Sequence, residues 1–128
     1  MHKDNSPTPP DVVTVASDFT ALWRAGDFRA ACDKYWAEDV VSIEPLARDG
    51  AAGSVCRGIE AVRAKNLAWL STHAIKDLSL DGPFVTGDHF ALFMDMLILH
   101  AGRSTPHSQI AVFTVRDGKI VEERYFHD

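Results

Sequence analysis

The sequence predicts an α+β domain in which helices cover one face of a curved antiparallel sheet. Two observations carry this. Apolar residues recur at helical spacing from Val12 to Trp36 and again from Ile59 to Leu70, then alternate with a period of two from Ala74 onward. Helices gathered ahead of strands that need only tight turns between them fit the α+β class, not alternating βα units. The 128 residues, with 46% hydrophobic composition, suit one domain around one core.

The elements follow in order. Residues 1–10, "MHKDNSPTPP", read as a Pro-broken tail, and residues 11–128 as the single domain. Asp11 can cap a helix bearing Val12, Val15, Ala16, Phe19, Leu22 and Trp23 on one stripe, which Gly26 ends. Asp27 can cap a second helix with Phe28, Ala31, Cys32, Tyr35 and Trp36 on one face. "VVSI" (40–43) reads as a short strand that runs into Glu44-Pro45, followed by the loop "LARDGAAGSVCRG". A third helix begins near Ile59, with Val62, Asn66, Trp69 and Leu70 on one stripe. Four strands follow: "AIKDLSLDGPFV", "HFALFMDMLILH", "SQIAVFTV" and "KIVEERYFHD", with Gly87-Asp88 and Asp117-Gly118 as hairpin turns.

Charge and cysteine usage exclude several classes. The chain carries 13 basic and 18 acidic residues, net -5, with no Lys/Arg run, so neither nucleic acid nor an anionic membrane is an expected partner. No apolar run approaches the ~20 residues that span a bilayer, and the N-terminal segment has no apolar h-region. Cys32 and Cys56 form no Cys-x-x-Cys pair and read as reduced thiols in a cytoplasmic protein. Six histidines occur without any metal-binding spacing, so no metal and no cofactor are expected. The run Phe90–Leu99 is apolar in both registers except at Asp95. Three helices can cover only one of its faces, which predicts a homodimer through the outer face.

Three phrases resemble a known family. "AGDFRAACDKYWAEDVVSIEP", "RGIEAVRA" and "VFTVRDGKIVEERYFHD" resemble the helix-strand, loop-to-helix and closing-hairpin segments of SnoaL-like proteins. These belong to the nuclear transport factor two-like superfamily, with its cystatin-like α+β barrel. The resemblance implies a cone-shaped sheet wrapped around the three helices, open at one end, with an internal pocket for a small hydrophobic molecule. It implies no single function, because that superfamily spans isomerases, cyclases, dehydratases and proteins with no chemistry. Glu44 matches the position of the general-base aspartate in the ketosteroid isomerase branch. The two oxyanion donors of that branch correspond to Phe19 and Ala111, neither of which can donate, which argues against steroid isomerisation.

The candidate catalytic residues are Glu44, Glu123 and His127. Glu44 as a base needs burial within reach of a substrate proton; the plainer reading is a solvated carboxylate paired with Arg48. Alternation in the last strand puts Glu123, Tyr125 and His127 on one face, and the resemblance turns that face to the pocket. Glu123 and His127 lie ~13 Å apart along a strand and serve opposite ends of a substrate. Expected substrate contacts are Phe19, Trp36, Gln109, Phe113 and Tyr125. His107 is expected in an exposed turn after Pro106, the facing direction of Asp95 is open, and His73, His89 and His100 lie at element ends. Two functions stand side by side: cofactor-free acid/base chemistry with Glu44 as base, and a non-catalytic ligand-binding or dimerisation module.

Overall fold

Asp11 starts the first helix as its composition requires: its carboxylate accepts the Thr14 N–H at 2.8 Å. The computed structural model describes residues 8–45 and 55–127, so the expected tail over 1–7, most of the loop after Glu44, and Asp128 lie outside the described residues. Helix α1 covers Val12–Arg24 and α2 Phe28–Tyr35, followed by β1 (Trp36–Ile43), β2 (Val55–Arg57) and α3 (Ile59–Thr72). Strands β3 (Ala74–Thr86), β4 (His89–His100), β5 (Arg103–Arg116) and β6 (Lys119–Phe126) complete the chain. All six strands form one unclosed sheet in the order β2-β1-β6-β5-β4-β3.

Four details differ from the sequence reading. Trp36 opens β1 instead of ending α2, because the backbone turns extended at that residue. Asp27 precedes α2 without a side-chain cap bond. Residues 55–57, read as loop, form a short strand antiparallel to β1. Strand β5 begins at Arg103 and not at Ser108, so the turn after β4 is confined to Ala101-Gly102 and His107 lies well inside the strand. The sheet also contains one parallel pair, β1 with β6, which a meander alone does not supply.

Strand β3 bends at Gly82, where φ is +121° and the register shifts against β4. A Cβ at Gly82 would sit 2.8 Å from the Ala91 carbonyl oxygen, so only glycine fits this bulge. Arg24 at the end of α1 donates to the Leu80 and Gly82 carbonyls at 3.1 and 3.0 Å, fastening the helix to the bend. At the other side of the domain Pro9 and Pro10 lie against the β5–β6 turn, within 3.2 and 2.7 Å of where a Gly118 Cβ would stand.

The inward faces of β4, β5 and β6 divide along their length. Phe90 pairs with Phe113 and Phe113 with Glu123, then Leu92 with Ala111 and Ala111 with Tyr125, all buried. Phe19 of α1 packs on Phe113 and Phe90, with ring centroids at 5.0 and 5.8 Å, and on Trp23 at 4.8 Å. These aromatic rings fill the narrow end of the cone. Their edge-to-face and tilted geometry adds to area burial in a way that aliphatic replacements do not reproduce. Truncating Phe19→Ala should cost about 3–5 kcal/mol of unfolding free energy, the range for a fully buried phenylalanine, measured by denaturant titration.

Candidate functional site

Further along the same strand faces the side chains border a cavity in place of the Phe19 plug. Met94 pairs with Gln109 and Met96 with His107, and beyond the Phe19 plug these open onto a cavity of about 810 Å³. Its floor is apolar, from Leu78, Met94, Met96 and Ile98, and one helical wall comes from α3, with Lys65, Asn66 and Trp69. Trp23 of α1, Cys32 of α2 and Trp36 at the start of β1 also border it. An apolar cavity with few polar groups is the usual form of a small-molecule site.

The polar groups converge at one end. Glu44 stands just past β1, where its Oε1 accepts from Lys65 Nζ at 2.8 Å and its Oε2 lies 3.1 Å from His127 Nε2. Lys65 also donates to Ser42 Oγ at 2.8 Å and sits 5.6 Å over the Tyr125 ring. The His127 ring is 5.2 Å from that of His107, whose Nε2 lies 3.1 Å from Gln109 Oε1. Among the described residues the Gln109 amide N–H reaches only the Met94 thioether, at 3.8 Å. The side chains of Glu44, Lys65 and His127 are each about one quarter exposed, so the ion pair is less screened than a surface pair.

Glu123 lies beneath this end without lining the cavity. It is 1% exposed and accepts from the Tyr125 hydroxyl at 2.7 Å, while its Oε1 has no hydrogen-bond partner among the described residues. Burial pushes its carboxyl above the usual range, against the opposing pull of Tyr125, Ser42 and the Lys65 charge. Ser42 pairs with Glu123 across β1–β6, but its hydroxyl does not reach Oε1 in hydrogen-bonding geometry. Burial and the nearby Glu123 carboxylate raise the Tyr125 hydroxyl, and burial raises the Cys32 thiol.

The structure thus sorts the sequence candidates. Glu44, His127, Trp36, Gln109 and Tyr125 line the cavity; Phe19, Phe113 and Glu123 do not. Phe19 and Phe113 are corrected from substrate contacts to the core plug, because large apolar rings pack at the narrow end where no void remains. Glu123 meets Tyr125 instead of a ligand, and the acid that faces His127 is Glu44. The expected Glu44 partner, Arg48, lies outside the described residues. His107 faces the cavity from within β5. Asp95 points to the outer face, where it accepts from Ser108 Oγ. His73 stacks between Trp69 and His100, at 4.4 and 4.1 Å, on the cavity rim. Lys65 escaped the sequence reading although it shares the Val62, Asn66 and Trp69 stripe, where a cation breaks an otherwise inward face.

A family model described as a SnoaL-like domain matches residues 12–127. The chain belongs to the SnoaL-like family. A solved structure from Mesorhizobium loti is 34% identical, with a TM-score of 0.84 over 91% of this chain and 99% of its own. That protein is provisionally named a SnoaL-like polyketide cyclase and also a carbohydrate phosphatase, two unrelated activities, so its name carries family and not reaction. A protein of nuclear transport factor two-like fold from Burkholderia pseudomallei is 16% identical, with a TM-score of 0.73 over 93% of this chain and 92% of its own. TerC, co-crystallised with polyporic acid, is 16% identical with a TM-score of 0.72 over 91% of each chain. The latter two show the fold alone. A comparison with curated protein sequences yields no match.

The SnoaL-like chain carries a pH signature in Glu123. Its folded value lies above the unfolded 4.5, so the native state holds the proton more tightly. The Glu123 contribution to stability is therefore fully present below the unfolded value and is lost as pH rises from there through the folded one. In Glu123→Gln, which keeps an acceptor for Tyr125, that decline should vanish, so the variant gains on wild type with rising pH. Urea titrations across pH 4–8 measure it.

Proposed function

We propose that this SnoaL-like protein binds a small, largely apolar carbonyl compound in its cavity and moves a proton on it without a cofactor. The observation that carries this reading is Glu44 at the polar end of an apolar cavity, joined to both Lys65 and His127. In this reading Glu44 takes a proton from a carbon next to the substrate carbonyl. The carboxylate also orients the His127 ring, as an acid does in a hydrolase triad, and His127 exchanges the proton onward. Lys65 and the Gln109 amide donate to the oxygen on which negative charge develops. Glu123 acts only from beneath, by holding the Tyr125 hydroxyl.

A second reading has its own support. The positions that supply oxyanion donors in steroid isomerases are Phe19 and Ala111, both buried and apolar. A binding protein that performs no chemistry needs no such donors. Exchange of the acidic α-protons of 2-tetralone in deuterated buffer, followed by proton NMR, separates the two. Wild type should accelerate the exchange, and Glu44→Gln should lose about 10²–10⁴-fold of the acceleration with an unchanged circular dichroism spectrum. Exchange at the buffer rate in wild type, together with binding of the ketone, would leave the binding module.

The same proposal includes a homodimer in the cytoplasm. Both cysteines are free thiols, and no helix among the described residues is long and apolar enough to cross a membrane. Phe93 pairs with Ile110 and Ile110 with Phe126, forming one row across the outer face with 37, 42 and 48% exposure. Such a contiguous apolar row is unusual on a monomer surface. Ile110→Asp should convert a dimer to a monomer in sedimentation velocity; a monomeric wild type would refute the dimer.

A further inference from the structure

The charges on the cavity wall run against those of the chain. Arg29, Arg63 and Lys65 face it with Asp33 and Glu44, three cations to two carboxylates, whereas the whole protein has a net charge of -5. The carboxylates, moreover, are already engaged. Asp33 Oδ1 accepts from Arg63 at 3.0 and 3.3 Å and its Oδ2 lies 3.9 Å from Arg29 Nε. Both oxygens of Glu44 are taken by Lys65 and His127, and Gln109 Oε1 by His107. Among the charged side chains of the wall, the remaining capacity is therefore mainly that of a donor. An amine would find one carboxylate oxygen, Asp33 Oδ2, without a hydrogen bond among the described residues and already beside the Arg29 charge, while an anion meets three cations with N–H groups to spare.

Two anchors compete for that anion. Lys65 is three-quarters buried and holds Glu44 and Ser42, so drawing it away strands a carboxylate in a poorly solvated place. Arg29 is different: its side chain is 72% exposed and its one ion pair among the described residues, with Asp33 at 3.9 Å, exceeds hydrogen-bond length. Arg63 stands on the opposite helix against the same carboxylate, with Glu60 at 3.5 Å on its outer side. A carboxylate seated between the two guanidiniums completes an alternating cluster across the α2–α3 rim, with planar bidentate geometry available from Arg29.

We propose that the cavity selects organic carboxylates: Arg29 and Arg63 take the carboxylate at the rim, and Met94, Met96 and Ile98 take the apolar body. This rests on the reading of the cavity as a ligand site, and it adds the ligand's charge and the residues that sense it.

Isothermal titration of the full chain with 2-naphthoate, 2-naphthamide and 2-naphthylmethylamine tests it, since the three share one apolar body. Naphthoate should bind about tenfold more tightly than the amide, with the amine weakest. Its advantage should shrink in ~0.5 M salt, because the rim is partly exposed, and should largely disappear in Arg29→Gln and Arg63→Gln. If Arg63→Gln unfolds for want of its Asp33 tether, the exposed Arg29→Gln decides alone. Equal binding of acid and amide, or preference for the amine, overturns the proposal while the ligand site stands. A naphthoate preference untouched in Arg29→Gln overturns the rim assignment. Failure of all three probes to bind overturns both the proposal and the ligand site.

Discussion

The candidate site depends on one backbone pairing, the parallel contact of β1 with β6. Ser42 lies opposite Glu123 and Ile43 opposite Arg124, so the strand that ends in Glu44 runs beside the strand that ends in His127. The two residues are separated by 83 positions in sequence and meet within 3.1 Å. A parallel pair needs a crossover, and here the crossover is everything between the two strands: β2, α3 and the strands β3, β4 and β5. Such a contact closes a very long loop and is among the last that local interactions can prepare. Lys65 reaches Glu44 because α3 packs over the same edge.

Along the cone, one strand geometry yields two environments. Alternation directs every second residue of β4, β5 and β6 inward, but what those residues meet changes with height. At the narrow end Phe19 of α1 fills the space, and Phe90, Phe113 and Ala111 are sealed. Past that plug the same faces carry Met94, Gln109, His107, Tyr125 and His127, and α3 stands off far enough to leave a cavity. Two glutamates illustrate the division. Glu44 has a cation and an imidazole at hand, whereas Glu123, shut beneath the wall with one hydroxyl donor, is pushed toward its protonated form. The same side chain thus serves as a cavity acid in one place and a buried support in the other, a contrast set by solvation and partners.

Much of this was legible in the chain. Helix spacing placed α1 and α3, period-two alternation placed the strands, and the turn residues marked two of the three hairpins. Family resemblance pointed to Glu44 and to the inward face of the last strand. Other residues were misplaced for identifiable reasons. Phe19 and Phe113 were expected at the ligand because an inward aromatic residue looks the same in a plug and in a wall. His107 was expected in a turn because Pro106 suggests one, yet β5 passes through it, as β strands tolerate proline where its missing N–H is not needed. Lys65 was passed over because a lysine on a helix is ordinarily solvated.

By itself, then, the sequence determined the helices and the long strands, the direction in which each presents its apolar residues, and the family. Those properties depend on periods of a few residues and on turn chemistry, which neighbouring positions decide. The tertiary structure alone decided which inward residues face a void, which carboxylate meets a cation, and that Arg29 and Arg63 share Asp33 across the rim. These depend on distances between segments far apart in the chain, and on how completely helices fill the space above the sheet, quantities that no local pattern encodes.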